Sequence, residues 1–181
     1  DNSDLYNVQY SIKNLGSWSK AVDLKYYYSY VDHPMSTKYR QASSADFPPN
    51  AGQPKVMTNH LESSIHGASV KNTTDLTDTL EMAIGLDSSL RNWDGRYDMN
   101  GVDKGASIDD ADTRNIGVFA EFEKQYSDVT LELGLRYDNT KITSGNDALQ
   151  DNSYRSFNGN LYAHYNLTKS LGFFGGIGKA T

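Results

Sequence analysis

Long runs of alternating apolar and polar residues dominate this chain. Between Val129 and Asp138, the apolar side chains of Val, Leu, Leu, Leu and Tyr alternate with Thr, Glu, Gly, Arg and Asp. A period of two over this length predicts a strand with one apolar and one polar face. The full run, 129–142, is about twice as long as an ordinary globular strand, which averages roughly 5–6 residues.

Eight segments show this alternation or a weaker form of it, and together they predict an all-β fold. The third is the weakest, because its polar and apolar residues alternate poorly. Residues 75–84 could begin a helix after Thr77, but strict alternation from Leu80 onward favours a strand. The predicted strands lie near 6–13, 22–30, 57–71, 80–87, 116–123, 129–142, 157–165 and 171–178.

The connections between these segments are predicted to alternate between short turns and long loops. The short ones are rich in Asn, Gly, Ser, Thr and Asp and lie at 14–19, 72–77, 124–128 and 166–170. The long ones are polar and lie at 33–56, 93–113 and 141–153. Compact soluble domains seldom contain several loops beyond roughly 12–15 residues.

Two environments accept strands of this kind. In a soluble sandwich or barrel the apolar face points inward, whereas in a bilayer-embedded barrel it points out to lipid. Alternation alone does not distinguish them. A transmembrane barrel needs about 9–11 tilted residues per strand, with tight turns at one end and long loops at the other, so strand length and loop asymmetry favour an antiparallel up-and-down transmembrane β-barrel.

The placement of aromatic and charged residues is compatible with the membrane alternative. Tyrosine is a good strand residue in any sheet, but phenol rings near strand ends are also typical of the membrane–water boundary. The aromatic residues on the apolar faces are Tyr6, Tyr26, Tyr28, Tyr30, Tyr137, Phe157 and Tyr165. The charged residues expected on the lumen-facing side are Asp23, Lys25, Glu81, Asp87, Glu121, Glu123, Glu132 and Arg136.

Composition excludes several classes of function. A net charge of −6 and a pI near 5.1 argue against a nucleic-acid partner. The chain has no cysteine, which excludes disulfides and thiolate chemistry. It contains neither an initiator methionine nor a signal peptide, and strand patterns lie close to both termini, so we expect a piece of a longer protein.

Several segments resemble TonB-dependent outer-membrane receptors. The sequence GLRYD at 134–138, inside its long strand, resembles a strand of these receptors, as does the hairpin pattern over 114–138. Residues 161–181 resemble the next hairpin, and residues 22–35 resemble a receptor strand that enters an extracellular loop.

The resemblance implies a barrel of about 22 strands filled by a plug domain, of which this chain would supply about eight strands and no plug. It implies the outer membrane of a Gram-negative bacterium, contact with the bilayer and lipopolysaccharide, and uptake of a scarce substrate such as a siderophore or other metal chelate, haem, cobalamin or a metal ion. It also implies a TonB complex that pulls on the missing plug.

His and Met residues flank the first long loop and form a candidate ligand or metal site. His33 and Met35 lie where the loop begins, and Met57 and His60 lie where it returns. Imidazole and thioether ligands suit a soft or borderline metal, copper above all, and some receptors of this family handle copper. A chance gathering of these residues is the competing interpretation, since the loose spacing specifies no geometry.

Other motifs are explained without a ligand. The Asp-rich segment 94–113 has no EF-hand spacing and is interpreted as a solvated acidic loop. Trp93, like Tyr137, is expected to be an interface anchor. No nucleophile–base arrangement and no phosphate loop is recognisable, so we expect neither an enzyme nor a cofactor.

Two alternatives to a receptor fragment remain open from the sequence. One is a complete eight-stranded outer-membrane barrel with a structural or adhesive role. The other is a soluble β-barrel or sandwich that acts as a binding module.

Overall fold

All eight predicted strands form, and they join into one antiparallel sheet. The computed structural model of the protein describes residues 2–37 and 56–181. Each strand pairs with its neighbour in sequence, so the spatial order runs from β1 to β8, and the all-β, up-and-down prediction is confirmed. The strands are β1 (Asn2–Lys13), β2 (Ala21–Ser36), β3 (Met57–Thr77), β4 (Leu80–Met99), β5 (Val102–Tyr126), β6 (Val129–Thr143), β7 (Asn152–Thr168) and β8 (Leu171–Lys179).

The pairing register separates the side chains into two faces. Directly paired residues project to the same face of a sheet, and successive residues along one strand alternate between the faces. One row of partners across seven strands is apolar and defines the apolar face: Tyr10, Leu24, Val70, Leu86, Val118, Tyr137 and Phe157. The adjacent row defines the polar face: Gln9, Lys25, Ser69, Asp87, Gly117 and Asp138.

Neither face is covered by a second layer of the described chain. Ala83 is the one buried apolar side chain among the described residues, whereas Leu24, Leu86 and Val118 are 42%, 45% and 47% exposed. Hydrophobic burial is the main favourable term in the folding of a soluble domain, and this sheet obtains little of it on its own. Within the described ranges, no helix is long and apolar enough to cross a membrane.

The prediction of a long loop at 93–113 is wrong. β4 continues through Trp93 to Met99, and β5 begins at Val102, so this segment forms a long hairpin that turns at Asn100 and Gly101. Both turn residues have positive φ values, 52° and 76°, as a two-residue hairpin turn requires, and Asn-Gly is the strongest short signal for it. Because this segment has many Asp residues and few apolar ones, it lacks the apolar–polar alternation that would have predicted the two strands.

Other connections also differ from prediction. Residues 72–77 were predicted to form a turn, but they belong to β3 and pair with β4, with a register shift between Asp75 and Thr77. The chain turns only after Thr77. The connection predicted at 141–153 is shorter, since β6 ends at Thr143 and β7 begins at Asn152. The connection between β2 and β3 begins after Ser36, and its residues 38–55 lie outside the described ranges.

Flat side chains cover glycines on the polar face. The Tyr27 ring lies over Gly67, Phe119 over Gly85, and Tyr162 over Gly176, each pair joined across neighbouring strands. A Cβ added to any of the three glycines would stand 2.1–2.2 Å from the facing ring. These positions therefore require glycine because an aromatic ring packs directly against the backbone there, not because the backbone has an unusual φ.

Replacing Gly85 with Ala is expected to destabilise the full-length protein by about 1–3 kcal/mol. The new Cβ would lie 2.2 Å from Phe119 and also 2.8 Å from the backbone oxygen of Val70, which cannot rotate away. Gly175→Ala is the control, because no atom lies within 4 Å of its added Cβ. Denaturant-induced unfolding should show a lower midpoint for the first variant alone, and equal midpoints would contradict the packing described here.

Candidate functional site

Three methionines gather on the polar face at the end of the sheet where β2, β3 and β4 project furthest. Met57 is the direct partner of Met99 on β4, and Met35 on β2 is the partner of Asn59, two residues from Met57 on the same face. Direct partners have Cβ atoms roughly 5 Å apart, and diagonal neighbours roughly 7–8 Å. His33 precedes Met35 by two residues and shares its face. We call His33, Met35, Met57 and Met99 the soft-donor cluster.

An open groove lies at this end of the sheet. It has a volume of about 480 Å³ and is lined by both Met35 and Met57, together with Ser36, Thr37, Thr58, Asn59, Tyr97 and Ser107. The two methionines are 45% and 37% exposed. Thioether sulfur is a soft, polarisable donor, and these side chains are accessible to a small ligand.

The fourth sequence candidate, His60, lies on the opposite face. It pairs with Pro34 and Arg96, and it lies one residue from Asn59 and three residues from Met57 along β3, so its side chain projects to the other face. Its Nε2 atom lies 3.5 Å from an Asp98 carboxylate oxygen. The structure therefore brings His33, Met35 and Met57 onto one face and separates His60 from them.

Met99 is a member of the cluster that sequence reasoning missed. The sequence placed it in a loop, where no register relates it to Met57. The Asn-Gly turn that follows it at 100–101 is the signal that could have located it, because that turn fixes the end of β4.

Two aspartates of the β4–β5 hairpin accept hydrogen bonds from the backbone of the same hairpin. The carboxylates of Asp98 and Asp103 accept hydrogen bonds from the backbone N–H groups of Gly101 and Gly105, at 3.0 and 2.7 Å. In the described ranges, no group of three or more His, Cys, Asp or Glu residues is arranged to hold a metal ion. The soft-donor cluster thus differs in kind from a carboxylate site.

An ion-pair network occupies the middle of the polar face. The Arg136 guanidinium on β6 donates to both carboxylate oxygens of Asp87 on β4, at 2.6 and 2.9 Å. It also donates to both oxygens of Asp138, at 2.8 and 2.6 Å. Bidentate guanidinium–carboxylate pairs fix geometry as well as charge, so this network holds β4 and β6 across β5.

Glutamates form a row nearer the short turns. Glu81, Glu123 and Glu132 are direct partners across β4, β5 and β6, and Glu121 lies beside them on the same face. In the turn after β1, the Lys20 ammonium donates to Glu81 at 2.5 Å and to Asp75 at 3.3 Å. The hydrogen bond to Glu81, followed by that to Asp75, raises the pKa of Lys20 above its ordinary value.

The remaining sequence candidates fall on both faces. The residues predicted to face the lumen, Lys25, Glu81, Glu121, Glu132 and Arg136, all lie on the polar face. Tyr137 lies on the apolar face between Val118 and Phe157. Trp93 lies within β4 on the polar face, with the Arg91 guanidinium 5.7 Å from its ring.

Solved structures with the same architecture include a copper transporter and an iron transporter. The copper transporter OprC superimposes with a TM-score of 0.78 at 18% identity, over 97% of this chain and 29% of that one. FpvAI in its complex with pyocin S2 gives 0.70 at 16% identity, over 96% and 25%. The FrpB iron transporter from Neisseria meningitidis (F3-3 variant) gives 0.67 at 14% identity, over 96% and 28%.

These likenesses establish the fold. The chain spans 25–29% of the length of these structures. No curated protein sequence matches it. The model of the family described as TonB dependent receptor-like, beta-barrel matches residues 1–181. With its eight-stranded up-and-down sheet and its separate apolar and polar faces, the chain belongs to the TonB-dependent receptor β-barrel family.

Proposed function

We propose that this chain is part of the barrel of an outer-membrane receptor that imports a soft metal ion, copper in the first instance. The observation that supports this most directly is the soft-donor cluster, which places one imidazole and three thioethers on the polar face of a receptor barrel. Cu(I) prefers thioether and imidazole ligands to carboxylates. One structural neighbour is a copper transporter.

The rest of the receptor would lie outside this chain. The chain spans 25–29% of the length of its structural neighbours, so a plug domain and the remaining strands would be supplied by other parts of the polypeptide. Uptake would depend on the TonB complex of the inner membrane acting on that plug. The receptor would bind and transport its ligand without catalysing a reaction.

The exposed apolar face supports insertion of this barrel into a membrane. A row of leucine, valine and aromatic side chains runs across seven strands, and no part of the chain that the structure describes covers it. Lipid chains would cover this face, and the polar face, with its Arg136 network and glutamate row, would line the interior. The short turns would then point to the periplasm and the long connections to the exterior.

This placement predicts a strong asymmetry between neighbouring positions of β6. Leu133→Arg would put a charge in the middle of the apolar face and is expected to destabilise the full-length protein in bilayers by about 2–4 kcal/mol. Glu132→Arg, one residue away on the polar face, should cost much less. Unfolding of both variants from lipid vesicles by denaturant checks this, and equal losses would show that lipid does not cover the apolar face.

The proposed uptake is tested in the bacterium that encodes the receptor. Cells lacking the gene should accumulate less copper than the parent strain at limiting copper, as measured by elemental analysis, while their iron content stays unchanged. Deletion of the TonB gene should lower copper accumulation to the same level. Loss of iron in place of copper would assign the receptor to an iron chelate or haem, and no change in any metal would overturn the proposal.

A further inference from the structure

Three of the four methionines in this chain belong to the soft-donor cluster. Met35, Met57 and Met99 lie on the polar face, whereas Met82 lies on the apolar face of β4 as the direct partner of Phe122. Methionine ordinarily fills irregular gaps in apolar packing, and the position of Met82 fits that role. The three thioethers on the polar face are not explained by apolar packing, so their chemistry is what distinguishes them.

The thioethers of the cluster are open to small reagents. Met35 and Met57 are exposed and line the groove, and half-buried Met99 lies directly opposite Met57. The other side chains that line the groove are polar and uncharged: Ser36, Thr37, Thr58, Asn59, Tyr97 and Ser107. Thioether sulfur is readily oxidised where a reagent reaches it, so an oxidant that enters the groove meets at least two reactive sulfurs.

Oxidation would change the donor that each methionine offers. A hydroperoxide transfers one oxygen atom to the thioether: its O–O bond breaks, an S–O bond forms, and the sulfur loses two electrons. The hydroperoxide proton moves to the other oxygen, which leaves as water or as an alcohol. The resulting sulfoxide is polar and presents a hard oxygen, whereas Cu(I) prefers soft sulfur. Each transfer therefore removes one ligand from the cluster.

The groove can accommodate the oxidised side chains without unfolding. Thr58 Oγ1 donates a hydrogen bond to Ser36 Oγ at 3.2 Å, and Ser107 Oγ donates to Asn59 Oδ1 at 2.7 Å. Because hydroxyl protons rotate to suit their acceptors, these groups can also donate to a new sulfoxide oxygen. Such an oxygen would be hydrogen-bonded, so oxidation would alter the ligand set and leave the sheet intact.

We infer that the soft-donor cluster is a reversible redox switch, in which a hydroperoxide converts Met35 and Met57 to sulfoxides and so stops metal binding. The inference rests on the proposed function. A soft metal ion bound to the sulfurs occupies the lone pairs that the oxidant attacks, so the loaded cluster resists oxidation and the empty cluster does not. A thiol-dependent methionine sulfoxide reductase reverses the step, because the oxygen leaves as water while two thiols become a disulfide.

The test uses the full-length receptor and Ag(I), which shares the charge and ligand preference of Cu(I) but does not cycle with peroxide. After timed treatment with hydrogen peroxide, peptide mass spectrometry locates the sulfoxides, and titration calorimetry measures the affinity for Ag(I). Met35 and Met57 should be oxidised ahead of Met82, and the affinity should fall at least about tenfold in step with them. Saturation with Ag(I) before the peroxide should protect Met35 and Met57, and methionine sulfoxide reductase should restore the affinity.

M82L is the matched control, because it removes a thioether from the apolar face. It should keep both the affinity for Ag(I) and the sensitivity of that affinity to peroxide. The thermal unfolding midpoint of the oxidised receptor should equal that of the reduced one, and a loss of affinity that accompanies unfolding would contradict the switch.

The inference is also overturned if Met82 is oxidised as fast as Met35 and Met57, or if the oxidised receptor keeps its affinity for Ag(I). In the second case a reduced receptor that binds Ag(I) would leave the proposed function standing. A reduced receptor that binds neither Ag(I) nor Cu(I) would contradict both the switch and the proposed function.

Discussion

Copper uptake by the full-length receptor is expected to fall at least about tenfold when Met35 is replaced by Leu. Leucine preserves the size and apolarity of the side chain but removes the soft sulfur donor, so the change isolates metal binding from packing. Removal of a group that only hydrogen-bonds to a metal ligand lowers metal affinity roughly 10–100-fold. Removal of a ligand itself should lower metal affinity by at least as much. His33→Ala should have a similar effect. The measurement is the initial rate of copper accumulation at limiting concentration.

His60→Ala is the control, since it removes the same type of side chain from the opposite face. Its uptake rate should stay close to that of the parent. Met57→Leu and Met99→Leu report whether the direct pair on β3 and β4 contributes to the same site. If His33→Ala and Met35→Leu leave uptake unchanged while His60→Ala abolishes it, the soft-donor cluster is not the copper site.

Replacing Arg136 with Gln is expected to lower the free energy of unfolding by about 2 kcal/mol. Removing one partner from a fully buried ion pair costs about 3–5 kcal/mol, and the network here is partly exposed, so solvent screening reduces the loss. The variant would leave the Asp87 and Asp138 carboxylates, which are 28% and 14% exposed, facing each other without a cation.

Arg96→Gln provides the comparison for Arg136→Gln. Its guanidinium is 72% exposed and lies 3.8 Å from Asp103, so its replacement should change stability by less than about 0.5 kcal/mol. Unfolding by denaturant in lipid vesicles or detergent measures both variants. Equal losses for the two variants would contradict the role assigned to this network.

Strand periodicity predicted most of this sheet correctly. The alternation from Val129 to Asp138 indicated both β6 and the faces of its side chains, because a period of two is a property of any extended chain. The same reasoning placed Lys25, Glu81 and Arg136 on the polar face, which is also where the strand register puts them. That this face lines a lumen stays a prediction. It failed at 93–113, where charged and small residues occupy both sides of strands that lie beyond the apolar band and are not selected for alternation.

The candidate site was predicted only in part. Imidazole and thioether chemistry singled out His33, Met35, Met57 and His60 from their types and approximate positions. Which of them share a face depends on pairing, and a shift of one residue reverses the face of every side chain in a strand. His60 is three residues from Met57 on β3, an odd number, so the two side chains lie on opposite faces. Met99, by contrast, is the direct partner of Met57 across the β3–β4 pair.

By itself, the sequence determined the all-β class, the number of strands and the separation of apolar from polar faces, since these follow from local periodicity. The tertiary structure alone decided which residues from different strands meet. It joined Met57 to Met99, Arg136 to Asp87, and Arg114 to Lys141. These contacts depend on the register of hydrogen bonds between strands, which is set jointly by turns and by the burial of whole faces, and no single segment of sequence contains that information.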